Sequence, residues 1–173
     1  KHPRTWITSG GLGAMGFGLP AAIGAWFARR DRPVIAICGD GSFQMTMQEL
    51  AVVAEHRIPV KVVILNNFFL GMVRQWQQIF YNGRYAASDL RVSPDYAKIA
   101  EAYGLRGHTV RRPEELVGLL EQTLLASEPV ILDVQVAAEE NVYPMVPPGA
   151  AITEMILGPL ETTAVADSKE SIA

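Results

Sequence analysis

The chain has 173 residues, 49% of them hydrophobic and 19% charged, and a net charge of −3 at pH 7. That length and apolar content suit a single domain with one sizeable core, and the scattered Lys and Arg residues, paired only locally as at Arg29-Arg30 and Arg111-Arg112, argue against nucleic acid as a partner. No apolar run reaches the roughly 18 residues that span a membrane, because Gly, Pro and charges interrupt each one, so no membrane partner is expected.

Lys1-His2-Pro3 is neither an initiation site nor a signal peptide, so the chain is expected to begin within a longer protein. Trp6-Ile7-Thr8 is a short apolar stretch, followed by six glycines from Gly10 to Gly24 among Leu, Met, Phe and Ala, which read as a turn opening into a tightly packed helix. After Pro33, the run Val34 to Cys38 predicts a strand buried on both faces. Cys38 is the single cysteine, expected to be a buried structural thiol, and the lack of a disulfide partner suits a reducing compartment, the cytoplasm if the source is bacterial. Gly39-Asp40-Gly41 breaks the strand, and Phe43, Met47, Leu50, Ala51 and Ala54 predict a helix from Ser42 to His56, capped by Ser42 or Asp40.

Val60 to Leu65 predicts a second buried strand, ended by Asn66-Asn67. The aromatic-rich segment Phe68 to Tyr81 has helical potential but is too apolar for a surface helix without a partner. Ser93-Pro94-Asp95 predicts a capped start, with Pro94 at the first helical position, for a helix that Gly104 ends. A short strand from Gly107 to Val110, an amphipathic helix from Pro113 to Ser127 with Leu116, Leu119, Leu120 and Leu124 on one face, and a strand from Val130 to Val136 complete the order. Strands alternating with helices predict an α/β fold, an open and mainly parallel sheet with helices on both faces, over residues 1–160; residues 161–173 read as a flexible tail.

In such sheets ligands sit at the carboxyl ends of the strands, where this sequence places Gly39-Asp40-Gly41-Ser42 and Asn66-Asn67. Asp40 offers a carboxylate and Asn67 an amide carbonyl, hard oxygen donors suited to Mg²⁺, while glycines let backbone amides approach an anion. Taken singly, Asp40 also reads as a helix cap and Asn66-Asn67 as a strand-ending turn. About two dozen residues separate the two, the length of one helix plus one strand, so a single crossover sets both ends side by side. Gly11-Leu12-Gly13-Ala14-Met15-Gly16 is a literal GxGxxG, with Asp40 at the end of the next strand, and leaves a Rossmann-type dinucleotide-binding domain as an alternative.

The stretch GDGSFQMTMQELAVVAEHRIPVKVVILNN resembles the diphosphate-binding motif of thiamine-diphosphate enzymes. LGMVRQWQQIFY, Leu70 to Tyr81, and VYPMVPPGA, Val142 to Ala150, are similar within that family to the acetolactate synthases. The resemblance, running from about Arg4 to Pro159, implies a C-terminal thiamine-diphosphate-binding domain whose parent also carries an N-terminal pyrimidine-binding domain and a middle domain that binds FAD. It implies Mg²⁺ ligation by Asp40, Asn67 and the backbone carbonyl of Phe69. It also implies a cofactor site formed by Gly39, Asp40, Gly41, Ser42, Asn67, Phe69, Leu70, Gly71 and Met72, with Gly13 and Met15 positioning the aminopyrimidine. Met72, Val73 and Trp76 would line the substrate channel, Trp76 favouring 2-ketobutyrate.

The reaction implied is decarboxylation of pyruvate and transfer of its two-carbon remainder to a second 2-keto acid, pyruvate or 2-ketobutyrate, in branched-chain amino-acid biosynthesis. A homodimer or tetramer of the parent chain, with a small regulatory subunit, belongs to the same implication. Because the activating glutamate would lie in the N-terminal domain, this stretch alone is expected to be inactive. Another thiamine-diphosphate carboligase or decarboxylase, such as glyoxylate carboligase, stays open as an alternative.

Overall fold

The computed structural model describes residues 3–92 and 94–159. Two compact units divide the chain, Lys1–Glu139 and Glu140–Ala173. That division falls inside the stretch 1–160 read as one domain, and the tail expected over 161–173 lies outside the described residues.

The first unit is an α/β sandwich built on four parallel strands: β1 (Ile35–Gly39), β2 (Lys61–Asn66), β3 (Arg106–Val110) and β4 (Val130–Gln135), in the order β1-β2-β4-β3. The register sets Cys38 beside Ile64 and Ile64 beside Asp133. Period-two alternation sends Ala36, Cys38, Val62, Ile64 and Ile131 to one face, where they pack with α1 (Gly18–Ala28), α3 (Leu50–Glu55) and α5 (Tyr96–Ala102). Val63, Val130, Leu132 and Val134 face the other way, onto Leu116, Leu119 and Leu120 of α6 (Pro113–Leu125). Helices thus lie on both faces. Leu124, expected on the same buried stripe of α6, is exposed.

Two glycines fix the closest approaches of helix to sheet. A Cβ at Gly18 would lie 3.4 Å from the Cβ of Cys38, so α1 sits directly on β1. A Cβ at Gly107 would stand 2.5 Å from the Ala97 carbonyl oxygen and 2.7 Å from its Cα, so α5 crosses β3 backbone against backbone.

Three expectations need correction. The strand predicted as buried on both faces is an edge strand, with Ile35 46% and Ile37 58% exposed, because among the described residues no helix covers that face of β1. The single helix expected from Ser42 to His56 is broken into α2 (Asp40–Gln44), a 3₁₀ turn (Met47–Glu49) and α3; Gly39 is the N-cap of α2, and neither Ser42 nor Asp40 caps it by a side chain. The cap of α5 is Asp95, whose carboxylate accepts from the Lys98 amide at 3.1 Å, which leaves Pro94 outside the helix; Ser93 lies outside the described residues.

The second unit is irregular where described. Met145 and Ile156 form an antiparallel bridge, Tyr143-Pro144 is cis, and the Glu154 carboxylate accepts from the Ala151 amide at 2.7 Å.

Candidate functional site

The carboxyl end of β1 runs without a loop into α2, so Asp40 stands at the sheet edge as the first residue of a helical turn. It is 1% exposed, and Oδ2 makes no hydrogen bond. Burial pushes its carboxyl up from the ordinary range, the amides of Gly41, Asp40 and Phe68 pull it partly back, and the charge of Asp133 adds to the rise. An unpaired carboxylate oxygen away from water is costly unless a cation meets it.

β2 ends one strand over, with Asn66 and Asn67. The Asn67 side-chain carbonyl accepts from the Phe69 amide at 3.1 Å and the Asn66 carbonyl accepts from the Phe68 amide at 3.1 Å, two successive tight turns. Between them Phe68 adopts a left-handed conformation, φ 60°. An amide oxygen has two acceptor sites, so the Asn67 side-chain carbonyl could also reach a metal.

Loop and turn then close on each other. A Cβ at Gly41 would lie 2.7 Å from Leu70 Cδ2, 3.2 Å from Leu90 Cδ1 and 3.4 Å from Met15 Cε. Gly41 is therefore the point where four segments meet, and a side chain there would push aside the ends of Leu70, Leu90 and Met15. A Cβ at Gly71 would be 3.2 Å from Asn67 Nδ2, which packs the start of α4 (Gly71–Phe80) under the same turn.

The glycine-rich segment is tied to this centre. Gly16 donates its amide to Ser42 Oγ at 3.0 Å and accepts from Thr46 Oγ1 at 3.0 Å, which holds Met15 over Gly41. Gly13 (φ 62°) closes its own turn by donating its backbone N–H to the Ser9 carbonyl at 2.6 Å. Among residues 3–17 no strand precedes the GxGxxG; the first strand comes only after α1. This is the reverse of the strand–glycine turn–helix order that a dinucleotide fingerprint needs. Gly13 and Ser42 also line a cleft of about 520 Å³ that runs along the open face of β1 past Trp6, Ile7 and Ile37.

α4 is inverted relative to an ordinary surface helix. Arg74 and Gln75 are buried, while Met72 (53%), Val73 (44%) and Trp76 (37%) are exposed. Residues 85–91 cover the polar side: Ser88 Oγ donates to Gln77 Oε1, Gln77 Nε2 donates to the Ala86 carbonyl, and the Arg74 guanidinium lies 5.1 Å from the Phe69 ring and 5.0 Å from that of Tyr85. The apolar stripe expected to seek a partner faces outward.

The structure therefore brings Gly39, Asp40, Gly41, Ser42, Met15, Asn67, Leu70 and Gly71 together, with Phe69 on the adjoining turn and Met72, Val73 and Trp76 on the helix that leaves it. Sequence reasoning missed four supporting residues: Thr46, Leu90, Asn66 as more than a strand end, and Asp133, 4% exposed, which accepts from Asn66 Nδ2 at 2.9 Å. A signal for the last was present, a lone carboxylate inside the apolar run Val130 to Val136. Among the described residues no group of three or more His, Cys, Asp or Glu gathers to hold a metal. Asp40 with amide and carbonyl oxygens suits Mg²⁺ shared with a phosphate rather than a metal held by protein alone.

The family model for the C-terminal TPP-binding domain of thiamine pyrophosphate enzymes matches residues 1–134. The chain is 51% identical over 155 residues to an acetolactate synthase of Arthrospira platensis, covering 89% of this chain and 27% of that protein. It is 49% identical over 157 residues to the acetolactate synthase large subunit of Porphyra purpurea (90% and 26%) and 47% over 155 to the isozyme 2 large subunit of Escherichia coli K12 (90% and 28%). It thus spans about a quarter of the length of these relatives. Among solved structures, a thiamine diphosphate-dependent 4-hydroxybenzoylformate decarboxylase of Rhodococcus jostii RHA1 superposes with a TM-score of 0.65 at 37% identity, over 72% of this chain and 23% of that one. A buried, unpaired carboxylate beside a strand-ending asparagine, with glycine-lined amides between them, is thus found on a chain that belongs to the thiamine pyrophosphate enzymes, as their C-terminal TPP-binding domain.

Proposed function

We propose that this chain is the cofactor-diphosphate-binding part of an acetolactate synthase large subunit, which joins pyruvate to a second 2-keto acid, pyruvate or 2-ketobutyrate. The observation that carries the metal site is Asp40: buried, with Oδ2 unpaired, across from the turn of Asn67 and Phe69. Asp40, the Asn67 side-chain carbonyl and the Phe69 backbone carbonyl would hold Mg²⁺, and the amides around Gly41, Ser42, Gly71 and Met72 would receive the diphosphate. Gly13 and Met15 would orient the aminopyrimidine, Met15 from its place over Gly41. When bound, thiamine diphosphate supplies the thiazolium electron sink for decarboxylation.

The exposed stripe of Met72, Val73 and Trp76 would form one wall of the substrate channel, an apolar surface against which the side chain of the acceptor packs. FAD, the activating glutamate, and the contacts of a homodimer or tetramer and of a regulatory subunit belong, on this reading, to parts of the protein outside this stretch, which alone should not turn over. A second reading, a thiamine-diphosphate decarboxylase or another carboligase such as glyoxylate carboligase, draws on the likeness to the 4-hydroxybenzoylformate decarboxylase. Product analysis of the full-length protein with pyruvate and with glyoxylate separates them: acetolactate from pyruvate supports the first reading, whereas acetaldehyde alone from pyruvate, or joining of glyoxylate in its place, supports the second. For the site itself, Asp40→Ala in the full-length protein should abolish Mg²⁺-dependent thiamine-diphosphate binding in calorimetry, because it removes the charged ligand; unchanged affinity would sink the assignment.

A further inference from the structure

β4 carries a carboxylate, Asp133, between the apolar Leu132 and Val134. Asp133 pairs in register with Ile64 of β2 and Thr109 of β3, on the sheet face that bears Ile131, and is 4% exposed. Its Oδ1 accepts from Asn66 Nδ2 at 2.9 Å in a fully buried contact. Asn66 is itself 2% exposed and spends its side-chain carbonyl on the Phe68 amide at 3.1 Å. The amide group of Asn66 is thus held at both ends, which fixes its rotamer and its flip state.

Phe68 is where that constraint acts. Its left-handed conformation is unfavourable for a residue with a side chain and persists only when the surroundings over-determine it. Here the Phe68 amide is bound to Asn66 and the Phe68 carbonyl accepts from the Leu90 amide at 2.7 Å. Rotation about Phe68 sets where Asn67 and Phe69, the residues on either side of it, present their oxygens. The Phe68 amide also faces the Asp40 carboxylate, so one peptide group is shared by the two strand ends.

We propose that Asp133 is a positioning residue for the cation site: through Asn66 and the Phe68 amide it fixes the turn that presents Asn67 and Phe69 beside Asp40. The proposal rests on the reading of Asp40, Asn67 and Phe69 as metal ligands. Groups that orient ligands from behind alter metal affinity by about 10- to 100-fold when removed, and that scale sets the test.

The experiment uses the full-length protein with thiamine diphosphate and Mn²⁺ in place of Mg²⁺, bound and free Mn²⁺ being distinguished by electron paramagnetic resonance. Asp133→Leu should weaken Mn²⁺ binding by about tenfold or more, whereas Asp133→Asn, which still offers an oxygen to Asn66 Nδ2, should recover most of it. Asn66→Ala should match Asp133→Leu, and combining the two should add little, since both cut one relay. In the metal-free protein, both should speed hydrogen exchange at the Phe68 amide without a matching change at Val62 in the middle of β2. Wild-type Mn²⁺ affinity in a folded Asp133→Leu, or in Asn66→Ala should Asp133→Leu fail to fold, overturns the relay and leaves the metal assignment standing. A wild-type protein that takes up no Mn²⁺ with thiamine diphosphate overturns that assignment, and the relay's purpose with it.

Discussion

The two halves of the sheet differ in what they leave unsettled. Around β3 and β4 the accounts close at the sheet: Val110, Val130, Leu132 and Val134 are buried against α6, which keeps Val117, Leu124 and Leu125 exposed, α5 sits backbone to backbone on β3, and the buried Lys61 at the foot of β2 donates Nζ to the carbonyls of Ala126 (2.8 Å) and Glu128 (2.5 Å). Around β1 they do not. Ile35 and Ile37 face outward, the Asp40 carboxylate lacks a partner for one oxygen, and α4 turns Met72, Val73 and Trp76 to the surface. A chain selected only to fold would have little reason to leave buried charge unpaired and apolar surface open on the same side. The closed half acts as the foundation, and the exceptions gather where ligand and further protein would satisfy them.

Two glycines give the sharpest way to break that contrast. Gly107→Ala drives a methyl group into the Ala97 backbone, which cannot step aside, so a loss of about 3 kcal/mol or outright failure to fold is expected in chemical denaturation. Gly41→Ala meets only the ends of Leu70, Leu90 and Met15, which can move. Its denaturation midpoint should stay close to wild type while thiamine-diphosphate affinity of the full-length protein in calorimetry falls by about tenfold, because on the proposed reading those side chains and the amides beside them would form the cradle. Equal stability losses at both positions would erase the distinction between foundation and site.

Trp76→Leu tests the open half at smaller scale. It removes an exposed aromatic wall while leaving buried Arg74 and Gln75 in place. In the full-length protein a competition between pyruvate and 2-ketobutyrate as acceptors should shift toward pyruvate by about 1 kcal/mol, the worth of one methylene in an apolar pocket. An unchanged product ratio would take Trp76 out of the channel.

The closed half was the more legible one. Val60 to Leu65, Gly107 to Val110 and Val130 to Val136 read as strands and are strands within a residue or two at their ends, because continuous apolar runs between turn residues leave few alternatives. Pro113 to Ser127 reads as a helix for similar reasons, with Pro113 at its start and Glu114 and Glu115 in its first turn. The break inside Ser42 to His56 was not legible: the periodicity is continuous, and the kink comes from Thr46, drawn out of helical geometry where it holds Gly16. Asp40 and Asn67 could be paired from sequence because one crossover separates them. Asp133 could not, since its partner lies 67 residues away and only the strand order β2-β4 brings them together.

Asp133 also ties the halves together electrostatically, and pH offers the gentlest test of that link. Burial is the main cause that raises its carboxyl above the ordinary range; Asn66 opposes the rise, Asp95 adds to it, Arg111 opposes it, and Asp133 in turn raises Asp40. A carboxyl whose folded-state pKa lies above its unfolded value is protonated in both states at low pH and contributes nothing there. As pH climbs past the unfolded value, the unfolded chain releases the proton first, so stability falls until the folded group ionises as well. In the metal-free protein Asp133 and Asp40 therefore each remove stability in the window just above the unfolded carboxyl value of 3.8, a downward slope set against the opposite contribution of Asp31, Asp89 and Glu115, which neighbouring arginines hold low. Asp133→Asn, which cannot ionise, should flatten part of that slope in urea titrations, and should flatten it further than removing one carboxylate alone would, because Asp40 then ionises without a like charge nearby. A slope unchanged by the substitution would mean that Asp133 is already ionised to the same extent in both states, and that its link to Asp40 is carried by the hydrogen bonds alone.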